Sequence, residues 1–573
     1  MPARAHVHRP FNRRTFFRGT LVAALGAAAA PALAACSGSQ SSQQPEPRGY
    51  DGELRELAIP PLYEGSLEGK IRTFTLQAQA GHAEILPGQP RTRTWGFNGD
   101  YLGPTLRAKK GEEVKVRVEN NLPEMTTVHW HGMKLPAYAD GGPHSPIEPG
   151  KSWEPSWTVA QPAATVWYHP HPHGQTAVQA YRGLAGMFIL DDEVSESLEI
   201  PHDYGVDDIP VVLCDLKFTD DDQLDNRIDD TLGLMGTTPV VNGQTNCFFQ
   251  ATTRRVRLRF LNGATMRFYT LSLDNDAPFQ VIATDSGLLG APVEADDILI
   301  GPGERVEALV DLAPGEEIKL VSRPREDRFG IPENGEYTVD FGFQDSFDLL
   351  TLRGPQDDGP EAPALPAQLD PAARKAPARE GLKERTFVLN TFLINGESMD
   401  MARVDEVIDH DKPEIWHVEN ENADWPHNFH IHNSRFKILD FDGQGIEVPT
   451  QGWKDTIDLP PKATATLLVE FGYYPDPTIP YMFHCHMLLH EDEGMMGQFV
   501  VVKPGEEPDV RVTPAAMTFD DHAGHSSGHA EHGSIDASRS PYAPTSGAQP
   551  AGGADEPAAR GNPGGHQSNL DAK

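Results

Sequence analysis

The segment His484-Cys485-His486, followed by His490 and Met495, has the most specific chemistry in this chain of 573 residues. In an extended strand successive side chains point to opposite faces, so Cys485 faces one way while His484 and His486 face the other. A thiolate, two imidazoles and a weak axial thioether form the ligand set of a blue-copper electron-transfer site. Cys485, His490 and Met495 supply three of these ligands, and the remaining imidazole must come from elsewhere in the chain.

Three further segments carry paired histidines whose period-2 spacing places both side chains on one face of a strand. They are His129-Trp130-His131, His169-Pro170-His171 and, within His427-Asn428-Phe429-His430-Ile431-His432, the pair His430 and His432. His427 lies an odd number of residues from that pair and projects to the other face, so it is the candidate for the missing imidazole. Eight imidazoles in four pairs then remain. They are too many for one or two ordinary ions and suit three.

An isolated histidine is more often a surface or satisfied core residue than a ligand, but four such segments together favour a metal site. Iron or zinc could also occupy mixed histidine sites. The soft sulfur ligands favour copper.

The four segments resemble, in the same order, the four copper-binding motifs of the multicopper oxidases, and the resemblance covers residues 52–503. It implies an all-β chain of three cupredoxin-like Greek-key β-sandwich domains, with four copper ions: one of type 1, one of type 2 and two of type 3. The implied type 1 ligands are His427, Cys485, His490 and Met495. The implied type 2 ligands are His129 and His430, and the implied type 3 ligands are His131, His169, His171, His432, His484 and His486. His173 follows His171 at the same spacing but falls outside the family pattern, so we interpret it as a neighbour of the ligands.

The resemblance also implies an oxidase activity. A donor would reduce the type 1 copper, electrons would pass through Cys485 to the adjoining histidines, and O2 would be reduced to water at the other three ions. Asp140, nine residues after His131, and Glu491, beside His490, align with acidic residues that assist oxygen reduction in relatives. Asp140 could instead be a solvated surface acid, and that alternative stays open.

The region before His427 bears on the substrate. Copper-resistance oxidases of the family carry a long Met-rich insertion there that binds cuprous ions, whereas residues 397–424 contain only Met399 and Met401. Trp425 resembles an aromatic residue of the bilirubin oxidases and offers a ring near the electron entry point, unless it merely packs the site. We therefore predict laccase-like oxidation of phenolic and related aromatic donors.

Three alternatives remain. The motifs Asp140-Gly141-Gly142-Pro143 and His490-Glu491-Asp492 look close to the cuprous oxidases, which keeps oxidation of cuprous ion as the second interpretation. A nitrite-type copper reductase fits the paired histidines less well than a three-copper cluster does. A copper-sequestering protein without turnover would not require all four segments.

Composition excludes one class of partner. The formal net charge of −36 argues against binding of nucleic acid, because a phosphate-binding surface needs clustered Lys and Arg. The length favours three or four domains, and the acidity is typical of a soluble surface.

The first 36 residues are predicted to be an export signal. Asn12-Arg13-Arg14-Thr15-Phe16-Phe17-Arg18 resembles a twin-arginine signal, and the following apolar stretch is too short for a mature membrane span. Leu33-Ala34-Ala35-Cys36 resembles a lipobox, which predicts an extracytoplasmic protein anchored to the membrane through Cys36. Simple cleavage without a lipid is the alternative.

Short runs rich in β-branched and apolar residues alternate with Gly, Pro and Asp turns, which indicates β-sandwiches. The predicted segments are a tether at 37–51, cupredoxin domains at 52–200, 201–352 and 385–504, a Pro/Ala-rich linker at 353–384, and a disordered tail at 505–573. The middle domain contains no histidine pair and is predicted to separate and orient the other two. The tail carries His522, His525, His529 and His532. These histidines are predicted either to capture copper or to have no function in a disordered tail. Cys214 and Cys247 form a disulfide or are buried thiols.

Overall fold

The computed structural model describes residues 54–324, 341–357, 361–441, 451–472 and 474–509. Almost every regular element in these ranges is a β-strand, which confirms the predicted all-β class. The predicted export signal, lipidation site and tether, and the tail histidines, lie outside the described residues. Within the described ranges, no helix combines the length and apolar character needed to cross a bilayer.

Two sheets form the first sandwich, which we define as residues 62–191. The strands of this third of the chain are β1 (Arg55–Glu56), β2 (Leu62–Tyr63), β3 (Ser66–Glu68), β4 (Ile71–Ala83), β5 (Thr92–Phe97), β6 (Thr105–Lys109), β7 (Glu113–Asn120), β8 (His129–His131), β9 (Ser152–Trp153), β10 (Ser156–Thr158), β11 (Ala164–His169) and β12 (Gly186–Asp191). The helices are a 3-10 turn (Ala137–Ala139), α1 (Thr176–Tyr181) and α2 (Glu193–Glu196). One sheet has the order β10-β7-β4-β3 with β5 and β9 at its side, and the other has the order β2-β6-β12-β11-β8. Along β7 every second side chain is buried, and Val114, Val116 and Val118 form its apolar side, as in a half-buried strand.

The middle sandwich, residues 208–353, has a core of its own. Its strands are β13 (Asp208–Leu216), β14 (Thr238–Val241), β15 (Cys247–Gln250), β16 (Arg255–Asn262), β17 (Tyr269–Leu273), β18 (Phe279–Thr284), β19 (Gly287–Ala295), β20 (Ile298–Ile300), β21 (Arg305–Asp311), β22 (Glu317–Ser322) and β23 (Phe347–Arg353). The sheet orders are β1-β15-β23-β22-β17-β20 and β14-β13-β16-β21-β18-β19. Cys214 and Cys247 are both buried free thiols, which decides between the two alternatives left open for them.

The last sandwich, residues 383–502, packs Trp416 and several Phe rings between its two sheets. Its strands are β24 (Lys383–Asn390), β25 (Leu393–Ile394), β26 (Glu406–Asp409), β27 (Glu414–Asn420), β28 (His427–Ile431), β29 (Ser434–Phe441), β30 (Thr456–Leu459), β31 (Thr464–Phe471), β32 (Asp476–His484) and β33 (Met496–Val502), with helix α3 (Leu488–Asp492). The sheet orders are β25-β24-β27-β31-β29 and β26-β33-β32-β28-β30.

Two segments pack differently from the simplest reading of the sequence. Strand β1, in the segment predicted as the start of the first domain, pairs with β15 of the middle sandwich, and Leu57 enters the middle core. The pairing satisfies backbone groups along the edge of β15. Leu369, in the predicted Pro/Ala-rich linker, is also buried in the middle core, so this linker is attached to the middle sandwich.

Candidate metal centre

Four strands bring the histidine segments together. In the first sandwich β8 pairs with β11, so that His129 stands opposite His169, and in the last sandwich β28 pairs with β32, so that His430 stands opposite His484. Strands β11 and β32 end at these histidines, and His171 and Cys485 follow just beyond. The predicted segregation of side chains is therefore retained, although the strand ends inside three of the four segments, since β28 also ends one residue before His432.

Cys485, His427 and His490 form one buried group. The Cys485 Sγ atom lies 3.8 Å from His427 Nδ1 and 3.5 Å from His490 Nδ1, and the two Nδ1 atoms are 3.1 Å apart. His490 lies on helix α3, which begins four residues after the end of β32. Met495 is fully buried, and its carbonyl accepts a hydrogen bond from the Cys485 amide. The structure thus brings Cys485, His427 and His490, three of the four predicted type 1 ligands, into contact.

Burial alone does not favour the thiolate in this group. It raises the pKa of Cys485 to about 12 and lowers that of His490 to about 3. Three neutral groups with convergent lone pairs fit a bound cation, which deprotonates a coordinating thiol. The donor set of one sulfur and two imidazoles therefore fits copper.

The remaining eight imidazoles are buried on the other side of this segment, between the first and last sandwiches. Their nitrogens fall into three groups whose ligand atoms lie within 4.8 Å of one another: His129, His131 and His430; His131, His169 and His486; and His171, His432 and His484. His173 is absent from these groups, in agreement with its interpretation as a neighbour.

Hydrogen bonds fix the orientation of three of these rings. Nδ1 of His129 donates to the Asp140 carbonyl at 2.8 Å, that of His169 to the Pro170 carbonyl at 2.7 Å, and that of His430 to the Asp455 carbonyl at 2.8 Å. Each Nε2 atom carries the lone pair, and among the described residues it has no hydrogen-bond partner. A buried acceptor without a donor is costly. Metal ligation would satisfy these atoms, and the carbonyl contacts are the kind that orient ligating imidazoles.

His171, His432 and His484 are held by two acids. The His432 Nε2 atom lies 3.1 Å from His484 Nε2, which lies 3.3 Å from His171 Nε2. On the far side of these rings, His432 Nδ1 contacts Asp140 Oδ2 at 2.8 Å. The two Glu491 oxygens lie 3.2 Å from Nδ1 of His171 and of His484. Protons at Nδ1 leave the three Nε2 lone pairs converging, which again fits a cation.

The two acids have opposite electrostatics. Burial raises the pKa of Asp140 to about 8, although His484 and His144 oppose the shift. Burial also opposes ionisation of Glu491, but the adjacent His171 and His484 hold its pKa well below the usual range. Asp140 is buried, which removes the solvated-surface alternative.

His131 is oriented in the reverse sense. Its Nε2 atom lies 3.1 Å from Asp455 Oδ1 and 3.2 Å from Thr456 Oγ1, and its Nδ1 atom has no hydrogen-bond partner among the described residues. The carboxylate of Asp455 in turn accepts hydrogen bonds from Arg305. Sequence reasoning missed Asp455, Thr456 and Arg305, since no histidine pair or metal motif lies beside Arg305 and a lone Asp-Thr carries no signal.

Aromatic rings surround both groups. The Trp425 ring stacks on His490 at a centroid distance of 5.7 Å, and Phe392 meets both rings edge-on or tilted at 5.4 and 5.6 Å. Trp425 is half-buried, which fits a position between the site and the surface. On the other side Trp167 stacks on His169 at 4.1 Å.

Comparisons with known proteins cover most of the chain. Three models of multicopper oxidase domains match residues 77–195, 220–317 and 365–505. The chain is 34% identical over 452 residues to the multicopper oxidase mco of Staphylococcus aureus, covering 78% of this chain and 93% of that protein. It is also 34% identical over 499 residues to the cell division protein FtsP of Escherichia coli, covering 86% and 98%.

Solved structures give the same picture. A multi-copper oxidase from Pediococcus acidilactici superimposes with a TM-score of 0.73 at 33% identity, covering 83% of this chain and 97% of that one. A laccase-like multi-copper oxidase from Ochrobactrum sp., with activity towards lignin model compounds, gives 0.68 at 34%, covering 78% and 100%. A metallo-oxidase from Campylobacter jejuni gives 0.67 at 26%, covering 79% and 96%.

Proposed function

The chain belongs to the multicopper oxidase family, and from this premise we propose that it oxidises phenolic or related aromatic donors and reduces dioxygen to water. The observation that carries the proposal is the junction at Cys485. Cys485 belongs to the group that it forms with His427 and His490. Its chain neighbours His484 and His486 belong to the group of eight buried imidazoles, which we call the eight-histidine group. Copper bound at both groups would collect single electrons at one and combine the four that dioxygen requires at the other.

We propose that four copper ions are held in this way. The type 1 ion would be held by His427, Cys485, His490 and Met495, the type 2 ion by His129 and His430, and the type 3 pair by His131, His169, His171, His432, His484 and His486. The partnerless nitrogens of the buried rings support this assignment. Sealing of both groups from solvent supports it too, because water is kept away from the reacting oxygen.

Asp140 and Glu491 are proposed to deliver the protons that dioxygen reduction consumes. Asp140 faces His432, and Glu491 lies between His171 and His484, so that together the two acids contact one whole group of imidazoles. Asp140, whose pKa burial raises to about 8, can hold a proton at the carboxyl oxygen that faces His432, whereas the ionised carboxylate of Glu491 can accept a proton and pass it on.

The substrate class rests on the surroundings of His490. Trp425 and Phe392 cover this ring with apolar aromatic surface, on which a planar donor can stack. Between residues 397 and 424 only Met399 and Met401 offer soft thioethers for cuprous ions. The similarity to the Ochrobactrum laccase-like enzyme supports the same class.

Two other functions have specific support. Oxidation of cuprous ion is favoured by the motif Asp140-Gly141-Gly142-Pro143 and by the similarity to the Campylobacter metallo-oxidase. A role without turnover is favoured by the similarity to FtsP, which is named as a cell division protein. The complete set of buried nitrogen and sulfur donors favours the oxidase over a role without turnover.

Copper stoichiometry measured together with oxygen consumption tests the reaction. We expect four copper ions per chain and water as the product, with no hydrogen peroxide. One or two copper ions per chain, or a fully loaded protein that consumes no oxygen, would contradict the oxidase.

The substrate class is tested by comparing two specificity constants. One is measured for a simple dimethoxyphenol without added copper, and the other for cuprous ion. We expect turnover of the phenol in the absence of excess copper. If phenol oxidation requires added copper, cuprous ion is the substrate and the laccase-like proposal is wrong.

Export by the twin-arginine route and a lipid anchor at Cys36 are proposed from sequence alone. The consecutive Arg13 and Arg14 and the motif ending at Cys36 support them. Cys36→Ala should move the protein from the membrane fraction to the soluble extracytoplasmic fraction, and unchanged membrane association would contradict the anchor.

A further inference from the structure

We infer that Arg305, on strand β21 of the middle sandwich, is a positioning residue for the eight-histidine group: it holds Asp455 where that carboxylate orients His131. The inference rests on the proposed function in so far as the eight histidines bind copper. It assigns the middle sandwich a part in the metal centre, although this sandwich supplies no ligand.

The guanidinium of Arg305 and the carboxylate of Asp455 form a two-pronged pair. Nη1 donates to Asp455 Oδ1 at 2.7 Å and Nη2 donates to Oδ2 at 2.6 Å, and both side chains are completely buried. The planar fork of arginine matches a carboxylate in both distance and direction. Asp455 is therefore fixed in rotation as well as in place.

All five N–H donors of Arg305 are used. Besides the two bonds to Asp455, Nε donates to the Thr165 carbonyl at 3.0 Å, Nη1 to the Gly303 carbonyl at 2.9 Å and Nη2 to the Asp285 carbonyl at 2.9 Å. Thr165 belongs to the first sandwich, Gly303 and Asp285 to the middle one and Asp455 to the last. Lysine has three donors and no plane, so it cannot reproduce this arrangement.

Asp455 acts on two histidines of the site. Its Oδ1 atom lies 3.1 Å from His131 Nε2, and its backbone carbonyl accepts the His430 Nδ1 proton at 2.8 Å. The carboxylate keeps the His131 proton on Nε2 and the lone pair on Nδ1, the reverse of the carbonyl-bonded rings. If Asp455 did not accept this proton, the tautomer of His131 with its proton on Nδ1 would become more populated.

Two glycines show how closely the pair approaches the site. A Cβ atom at Gly132 would lie 2.5 Å from Arg305 Nη2 and 2.7 Å from Asp455 Oδ2, and one at Gly303 would lie 3.0 Å from the His486 ring and 3.1 Å from the His131 ring. Both glycines have positive φ, at +84° and +86°. The chain is thus adapted on both sides to bring the guanidinium and its loop against the imidazoles.

Arg259 provides a matched control. It lies on β16, next to β21, is buried, and forms a two-pronged pair with Asp208 at 2.6 and 2.8 Å. It also reaches the first sandwich through Thr165 Oγ1 at 2.8 Å. Neither Arg259 nor Asp208 has a hydrogen bond to an imidazole among the described contacts, so its loss reports the structural cost of a buried inter-sandwich arginine alone.

The experiment compares Arg305→Gln and Arg305→Lys with Arg259→Gln and Arg259→Lys. Thermal unfolding is measured on the metal-free proteins, and copper affinity is measured by competition with a chelator, followed through the electron paramagnetic resonance signals of the bound ions. We expect both Arg305 variants to retain copper in the eight-histidine group about 10- to 100-fold less tightly, with an altered type 2 signal and unchanged blue absorption. The Arg259 variants should lower the unfolding temperature comparably and leave copper affinity and signals unchanged.

Asp455→Asn is a second variant in case the Arg305 variants fold poorly, because it keeps the size of the side chain and the backbone contact with His430. It should weaken retention of copper in the eight-histidine group in the same way. Equal copper affinity and identical spectra in the Arg305 and Arg259 variants would overturn the inference and leave Arg305 as a structural pin. A parent protein that binds copper but consumes no oxygen would contradict the proposed function while leaving the affinity ratio measurable.

Discussion

At the scale of single residues, Cys485 links the two groups of ligands, because its side chain lies in one group and its backbone is bonded to His484 and His486 of the other. Cys485→Ser should abolish the blue colour and lower oxidase activity by more than about 100-fold. Loss of a residue that only contacts a metal ligand costs up to roughly 100-fold, and Cys485 is itself a ligand in this proposal. Serine is nearly isosteric, and its hydroxyl can donate to Asn428 Oδ1, which lies 3.4 Å from the sulfur, so the fold should persist. Absorption spectra, oxygen uptake and thermal unfolding measure the three effects.

Cys214→Ser is the control for this variant, since Cys214 is a buried thiol in the middle sandwich. It should keep both colour and activity. A blue and active Cys485→Ser protein would show that the thiolate is not the donor to copper.

Asp140 contacts the site through its carboxyl oxygen and its backbone carbonyl. Asp140→Asn should retain all bound copper but slow reoxidation of the reduced protein by oxygen by about 100-fold, because the amide preserves size and an acceptor oxygen and cannot transfer a proton. Rapid-mixing measurement of reoxidation tests this. Asp215→Asn, which changes a buried acid paired with Arg267 in the middle sandwich, is the control. Equal rates in parent and Asp140→Asn would assign Asp140 a purely structural part.

At the scale of elements, alternation along a strand was sufficient to predict which histidines share a side. It separated His427 and Cys485 from the neighbouring imidazoles, and the structure places them together with His490. The register that sets His129 against His169 is not present in local sequence, because it depends on how strands far apart in the chain pair. The family resemblance implied which histidines share an ion, but it did not give this register.

The contributions of Arg305 and Asp455 were beyond prediction for a related reason. An arginine at the start of a strand is commonly a surface residue, and its burial follows from the packing of three sandwiches on one another. The reversed orientation of His131 is likewise set by a carboxylate that is 324 residues away in the chain.

Helix α3 also joins two sandwiches. Asp492 at its end accepts hydrogen bonds from the amides of Thr176 and Ala177 at 2.8 and 2.9 Å, and thereby caps α1 of the first sandwich, whose own N-cap side chain makes no such bond. Asp492→Ala should lower the free energy of unfolding by about 1 kcal/mol, as the loss of a cap does. Because Glu491 and His490 are adjacent, we also expect weakened retention of copper.

Urea unfolding and chelator competition measure the two effects of Asp492→Ala. Asp192→Ala is the matched control, since Asp192 caps α2 by a bond to its own helix at Ser195. It should lose similar stability and keep its copper. A loss of stability without any change in copper retention at Asp492 would show that α3 is held in place by its other contacts.

At the scale of the whole molecule, the ligands come from the first and last sandwiches, and the middle sandwich reaches the site through the Arg305 guanidinium and the neighbouring loop at Gly303. Next to it, Lys454 of the last sandwich lies 2.9 Å from both Asp285 and Glu304 of the middle one. These buried pairs contribute less to stability than to a unique arrangement, because desolvation offsets most of their attraction. Metal ligands divided between two sandwiches require such a unique arrangement.

Copper should therefore govern how the whole protein responds to acid. Nine of the ten histidines proposed as ligands have pKa values lowered below 6.5 in the folded, metal-free protein, chiefly by burial. Between the folded values and 6.5 the unfolded chain binds more protons, so the free energy of unfolding rises with pH and falls as pH drops below about 6.5. Each imidazole contributes up to about 1.4 kcal/mol per pH unit.

We expect the urea midpoint of the metal-free protein to fall steeply between pH 7.5 and 5.5, on the scale set by this slope. The copper-loaded protein should lose much less, because protons must displace copper before they reach the ring nitrogens. Both forms are unfolded in parallel, with copper content measured at each pH. A metal-free protein as resistant to acid as the loaded one would mean that these imidazoles are not held neutral by burial, and the assignment of their partnerless nitrogens to copper would lose its physical basis.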